Sequence, residues 1–302
     1  MRAALAMLVA LAAAPFLGFG EGYSLTLLAR VMILAMAAVS LWLLVGGAGL
    51  VSLGHAAMLG IGAYAVVVLD DARITDAVVV VPVAMAAAGL FALATGAVAI
   101  RTSGVHFIMI TLAFGQMAFF TAASLAAYGG DDGYTLYGRT TVLGQRWLED
   151  RLVFHYLCLG LLALALLGGQ VLLGSRFGRV LRAARENALR AEAVGFRPYP
   201  YRLVAYAVAG AVAGLAGVLL ANAAEFVAPS YLAWQRSGDL LFMVILGGLG
   251  SLQGAVLGAV GFVLLEEWLG HLTEHWRLIF GPLLVLSVLF LKGGLVGVLR
   301  RG

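Results

Sequence analysis

Few side chains in this sequence could carry chemistry, and the arrangement most like a reactive centre is His271-Leu272-Thr273-Glu274-His275. It matches the H-x-x-E-H pattern, in which both histidines bind zinc from one face of a helix and the glutamate acts as base. Glu266 and Glu267 stand close enough in the chain to add a ligand. A five-residue pattern also arises by chance, and this one falls in a short polar stretch between apolar runs, where an interfacial loop is the simpler reading. No metal site is therefore expected. A nucleotide site is not expected either. A phosphate-binding loop needs Gly-x-x-x-x-Gly-Lys-Ser/Thr, the only lysine is Lys292, and the glycine cluster at 247–254 contains none. Cys158 is the only cysteine and lies inside an apolar run, which excludes an intrachain disulfide and a cysteine-based metal cluster.

A second group of chemically capable residues lies inside the apolar runs themselves. Residues 43–64 are dense in glycine and alanine, with Ser52 and His55 among them. Small residues let helices approach closely in lipid, and the same composition suits a broken helix that offers backbone, Ser52 or His55 to a solute. Thr111, Gln116, Asn222 and Glu225 are further polar groups that lipid would penalise unless they face a cavity or another helix. Glu225 and Asp239 are expected at the outer edge. These groups are too sparse for a proton relay, which argues against the alternative of an ion-coupled secondary carrier.

The elements that hold these residues follow from composition. Of 302 residues 63% are hydrophobic and 11% charged, and mean hydropathy is +1.03, whereas soluble domains carry about 25% charged residues. A span needs about 20 apolar residues, and candidates lie at 3–19, 25–45, 49–69, 77–100, 105–126, 153–173, 203–221 and 278–291. The first also resembles a secretory signal, but the spans that follow at once favour a retained helix. Seven arginines (176, 179, 182, 185, 190, 197 and 202) crowd one loop, which is therefore predicted to be cytoplasmic. The net charge of +4 reflects that loop, and nucleic acid is not an expected partner. For Lys292, Arg300 and Arg301 to lie on the same side, 240–268 must enter and leave from one side, as a re-entrant or short hairpin turning at Gly247-Gly248-Leu249-Gly250-Ser251. The fold class is an all-α integral membrane protein, a polytopic helical bundle of about 8 to 10 spans. Residues 1–302 form a single transmembrane domain, with a cytoplasmic loop at 175–202 and both termini cytoplasmic.

That loop reads as an amphipathic helix over 178–194. Leu181, Ala184, Ala188 and Ala191 form a narrow apolar stripe, and Arg179, Arg182, Glu186 and Arg190 form another face. Glu186 and Arg190 make an i,i+4 pair, and Gly195 ahead of Pro198 marks the end. Small apolar residues suit docking into a protein groove better than burial among acyl chains.

Gly47-Ala48-Gly49-Leu50-Val51-Ser52-Leu53-Gly54-His55-Ala56-Ala57, followed by Gly60-Ile61-Gly62-Ala63-Tyr64, resembles the signature of the branched-chain amino acid permease family of ABC importers. Residues 103–114, 178–195 and 247–259 resemble further blocks of that family, in its order, and more narrowly the chain looks like its LivM-type subunit. The resemblance implies alternating access powered by a separate ATPase, for branched-chain amino acids or, alternatively, urea or short amides. It implies a homologous LivH-type permease, two cytoplasmic ATPase subunits holding ATP-Mg, and a periplasmic or extracellular solute-binding protein, at the bacterial inner membrane. No cofactor belongs to this chain itself. Ser52, His55, Thr111, Gln116, Gly247 and Gly248 would lie on the substrate pathway, and Arg182, Arg185, Glu186, Asn187, Glu192 and Gly195 would couple to the ATPase.

Overall fold

The computed structural model describes residues 2–17, 22–272, 275, 278–282, 285–286 and 293–299. The chain runs α1 (Arg2–Ala13), α2 (Gly22–Trp42), α3 (His55–Asp71), α4 (Ala77–Ala99), α5 (Val105–Ser124) and α6 (Arg151–Gly174). It continues through α7 (Arg176–Glu186), α8 (Ala188–Ala193), α9 (Pro198–Ala224), α10 (Trp234–Gly247), α11 (Leu252–Leu272) and α12 (Gly294–Leu299). Two short strands, β1 (Tyr134–Thr135) and β2 (Phe226–Val227), pair antiparallel with Tyr134 opposite Val227.

Among the described residues six helices are long and apolar enough to cross a membrane: α2 with its extension to Ala48, α4, α5, α6, α9 and α11. Five of these match expected spans, and α11 covers the stretch expected as the second arm of a hairpin. The span expected at 49–69 starts later, as the 17-residue α3, because glycines interrupt the run ahead of it. α1 is 12 residues long, and residues 287–291 of the last expected span, with Lys292, Arg300 and Arg301, lie outside the described residues. α10 has 14 residues, about 21 Å at 1.5 Å per residue, against about 30 Å of hydrocarbon.

α2 occupies the centre. Every residue from Val31 to Trp42 is buried, as expected for a helix that is apolar all round. α6, α9 and α11 pack around it. α4, α5 and α6 keep large apolar side chains on their outer faces, among them Leu90, Met109, Phe120 and Val171; a membrane asks nothing else of them. α3 crosses α9 where Gly62 meets Gly214 and Gly217 meets the carbonyl of Leu59, with no space for a side chain at either crossing. α10 and α11 meet in the same manner at Gly247 and Gly254.

Polar contacts sort the connections into two ends of the bundle. At one end, buried Asn222 Oδ1 accepts from Thr140 N (2.8 Å) and Thr140 Oγ1 (3.1 Å), and Arg139 pairs with Glu225 at 3.2 Å. These bonds and the β1–β2 pairing tie the 129–150 loop to the end of α9. Asp150 Oδ1 caps α6 from the same loop, accepting from Leu152 N at 2.8 Å. At the other end, Tyr199 Oη donates to Ala97 O at 2.9 Å, and Arg202 donates to Ala184 O at 2.9 Å. Back at the end that holds the 129–150 loop, Arg30 and Glu266, 3.1 Å apart, join the start of α2 to α11. Glu267 accepts from Tyr23 and lies 3.3 Å from His271, so these members of the candidate zinc pattern serve a helix-end cluster. Glu274 lies outside the described residues.

Candidate functional site

The small-residue stretch after α2 does not continue as an ordinary helix. Leu43–Ala48 widens into a π-helical turn, which ends at Gly49 in the left-handed conformation, φ +72°. Residues 49–54 are non-helical before α3 begins at His55. Backbone groups released by such a break must find other partners in lipid. Leu50 N donates to Leu44 O at 3.0 Å, Gly54 N to Ser52 Oγ at 3.3 Å, and Ala56 N to Ser237 Oγ of α10 at 2.9 Å.

Ser52 and His55 sit in this break, and both are fully buried. Ser52 Oγ lies 3.4 Å from Tyr206 Oη of α9, and the Tyr206 ring meets Phe107 of α5 edge-on. His55 Nε2 lies 2.8 Å from Ser40 Oγ, and that hydroxyl donates to Ala37 O at 2.7 Å. A serine hydroxyl has one proton. With it on Ala37 O, His55 Nε2 must carry the ring proton and donate to Ser40. Nδ1 is then a buried acceptor, and it has no hydrogen-bond partner.

α5 closes over the break. The Thr111 backbone presses on Gly54, where a side chain would collide with the Thr111 carbonyl, and Thr111 Oγ1 turns back to Ile108 O at 3.0 Å. Gln116, half-buried, follows one turn on. Gly247 and Gly248 make their close contacts elsewhere, with Gly254 and Gly293. The break thus gathers Ser52, His55 and Thr111, and adds Ser40, Tyr206 and Ser237, which sequence reasoning missed. Tyr206 and Ser237 act from helices distant in the chain, and Ser40 reaches His55 only once the chain turns back after the break.

The arginine-rich loop departs from the expected single helix over 178–194. α7 stops at Glu186, and Asn187 turns extended (φ −158°, ψ 104°). Its side-chain oxygen accepts from Arg190 N at 2.9 Å and so caps α8. Asparagine competes with a helical backbone in this way and favours a helix start over a helix middle. Glu186 and Arg190 therefore stand on separate helices. Gly195, at φ +93°, ends α8, with its N–H donating to Glu192 O at 2.9 Å.

Leu181, Ala184 and Ala191 of the apolar stripe are buried against this chain's own spans, with Ala188 half-buried; Leu181 packs in one cluster with Leu43, Leu44 and Tyr206. The stripe holds the loop to the bundle, which corrects its expected use as a free docking face. Exposed instead are Leu189, Val194 and Phe196, together with Arg182, Arg185, Glu186, Asn187, Arg190, Glu192 and Gly195. The arginines bind carbonyls at span ends: Arg179 reaches Gly174 O and Arg182 reaches Leu173 O, each at 3.1 Å. Arg185 donates to Gly46 O, in the π-helical turn, and its side chain lies over Gly49. The loop and the break are thereby one connected unit.

At the opposite end Tyr137, Leu143 and Trp147 project from the 129–150 loop into the surroundings. Partial burial, with Asp70 and Asp71 adding to it, pushes the Tyr134 phenol above its usual range, so the group stays neutral.

Residues 23–288 match the family model described as branched-chain amino acid transport system / permease component. The high-affinity branched-chain amino acid transport system permease protein LivM of Escherichia coli (strain K12) is 29% identical over 294 residues, covering 89% of this chain and 69% of that protein. LivM of Salmonella typhimurium is 28% identical over 319 residues, covering 98% of this chain and 75% of that protein. LivH of Salmonella typhimurium is 29% identical over 127 residues, covering 41% of this chain and 40% of that protein. No solved structure matches the chain.

Proposed function

The chain belongs to the branched-chain amino acid transport system permease family, and from that premise we propose that it lines the membrane path of an ATP-driven importer for branched-chain amino acids. It works beside a LivH-type permease, two cytoplasmic ATPases that hold ATP-Mg, and an outer solute-binding protein. The match over residues 23–288 carries this reading. The end bearing residues 175–202 faces the cytoplasm together with both termini, at the bacterial inner membrane; the seven arginines of that loop support this. We count eight crossings with α10 and α11 as an added hairpin, in support of which Glu266 meets Arg30 and Glu267 meets Tyr23, near the start of α2.

Alternating access follows from how the parts are joined. The ATPases grip the exposed face of α7 and α8, through Arg182, Glu186, Asn187, Glu192 and Gly195 with Leu189 beside them. Motion of α7 pulls the π-helical turn through Arg185 and Gly46, and the turn carries Ser52 and His55. Those residues are sealed by Thr111 and α5, so a passing solute meets them and Gln116 only after the break shifts. Gly247 and Gly248 let α10 and α11 follow at their close crossing.

The test is uptake of labelled leucine into vesicles holding this chain, its partner permease, the ATPases and the binding protein, with urea as comparison. Leucine accumulation that needs ATP and disappears without this chain is the expected result. Urea uptake in its place moves the substrate within the family, and collapse with an uncoupler while ATP is maintained points to an ion-coupled carrier.

A further inference from the structure

A cavity of about 370 Å³ lies between α3, α4 and α5. Ile61 and Tyr64 line it from α3, Phe91 from α4, and Phe114 and Met117 from α5. Leu232, in the turn before α10, closes one side and is seated directly on Gly60. The volume is that of a small-molecule site, about 300–1,000 Å³, and the wall is almost wholly apolar. Its hydroxyl-bearing residues are Tyr64, Thr121 and Tyr128, and the Tyr64 hydroxyl is buried with no hydrogen-bond partner. Such a group is costly in hydrocarbon, and a ligand that pairs with it removes the cost. Met117 and Thr121 line the cavity and are also exposed, so it is reached from outside the chain past these two residues. Leu125 and Tyr128 line the part nearest the 129–150 loop.

We propose that this cavity is a transient site for an amino acid with a branched aliphatic side chain. The side chain lies against Ile61, Phe91 and Phe114, the charged end points toward Tyr128 and the loop, and the carboxylate accepts from Tyr64 Oη. The wall suits an aliphatic group and holds nothing that would pair with a charged side chain, which matches the cargo class. The assignment rests on the importer reading above.

Two measurements on the assembled transporter test it. Cys158 is buried, so Thr121→Cys adds the one accessible thiol among the described residues. Saturating leucine is expected to slow its labelling by a maleimide about tenfold, and glutamate at the same concentration to leave it unchanged. Equal labelling with and without leucine overturns the site and leaves a lipid chain as its occupant. Tyr64→Phe, which removes only the hydroxyl, and Ala118→Trp, which fills the space, are each expected to cut leucine uptake about tenfold or more while the complex still copurifies. Uptake at the unaltered rate in both overturns the proposal. If the unaltered transporter imports no leucine, the importer reading fails, and the labelling result still decides the cavity.

Discussion

Arg185 of α7 donates a hydrogen bond to the carbonyl of Gly46, 139 positions away in the chain, at the π-helical turn that ends α2. The bond is charge-assisted, a class worth about 1.5–3 kcal/mol, and it joins the exposed arginine-rich loop to a buried turn of the bundle. Replacing Arg185 with Ala is expected to lower leucine uptake at least tenfold while the chain still inserts and copurifies with the ATPases. Uptake and copurification measured on one preparation check this; unchanged uptake removes the link from the mechanism.

Asn187 supplies the cap of α8, and Asn187→Ala is expected to destabilise that helix by about 1 kcal/mol. Asn187→Asp keeps the acceptor and should restore most of the loss. The readout is hydrogen exchange of the amides at 189–193, which Ala should accelerate and Asp should not.

Gly195 holds φ +93°, a conformation disfavoured for residues with a Cβ. A valine there is expected to uncouple ATP hydrolysis from uptake without loss of insertion, and Glu186→Ala on the neighbouring exposed face should do the same. Uptake equal to the unaltered chain in both variants would exclude the loop as the coupling element.

Ser40 accepts the ring proton of buried His55. Ser40→Ala removes that acceptor and leaves both imidazole nitrogens unpaired, at a cost of about 1–3 kcal/mol. A lower unfolding temperature in detergent is the expected result, and Ser40→Thr, which retains the hydroxyl, should lose less.

Gly217 lies against the Leu59 carbonyl with no room for a side chain. Gly217→Val should force α3 and α9 apart, destabilising the bundle by about 1–3 kcal/mol or more. Protease resistance of the membrane-inserted chain would report it, with Gly160→Ala, a position open to its surroundings, as the matched control.

The membrane class and most long spans were legible because the signal is local: about 20 consecutive apolar residues suffice to identify a crossing. The small-residue stretch around Ser52 and His55 was legible as a tight or broken helix, since its composition permits little else. Where it breaks was not, because Arg185 bonds the π-helical turn and Ser237 bonds the start of α3, both from far away in the chain. The loop helix was read as continuous since its periodicity survives Asn187; the cap that divides it competes with that periodicity and wins locally. The apolar stripe was correctly found and wrongly directed, because periodicity identifies a buried face without naming what buries it. Tyr206, 154 positions from Ser52, and the cavity beside Tyr64 exist only once α3, α4, α5 and α9 are packed.

The central position of α2 also sets an order of events during synthesis. Its burial is completed by α6, α9 and α11, the last of which ends at Leu272, so a helix made early waits for those made late. At about 5–20 residues per second the interval is roughly 10 to 50 seconds. The apolar stretch from Val31 to Val39 can wait dissolved in lipid, whereas Arg30 and Ser52 have their polar partners, Glu266 and Tyr206, on segments not yet translated. A ribosome that stalls before α9 would therefore leave Ser52 without Tyr206.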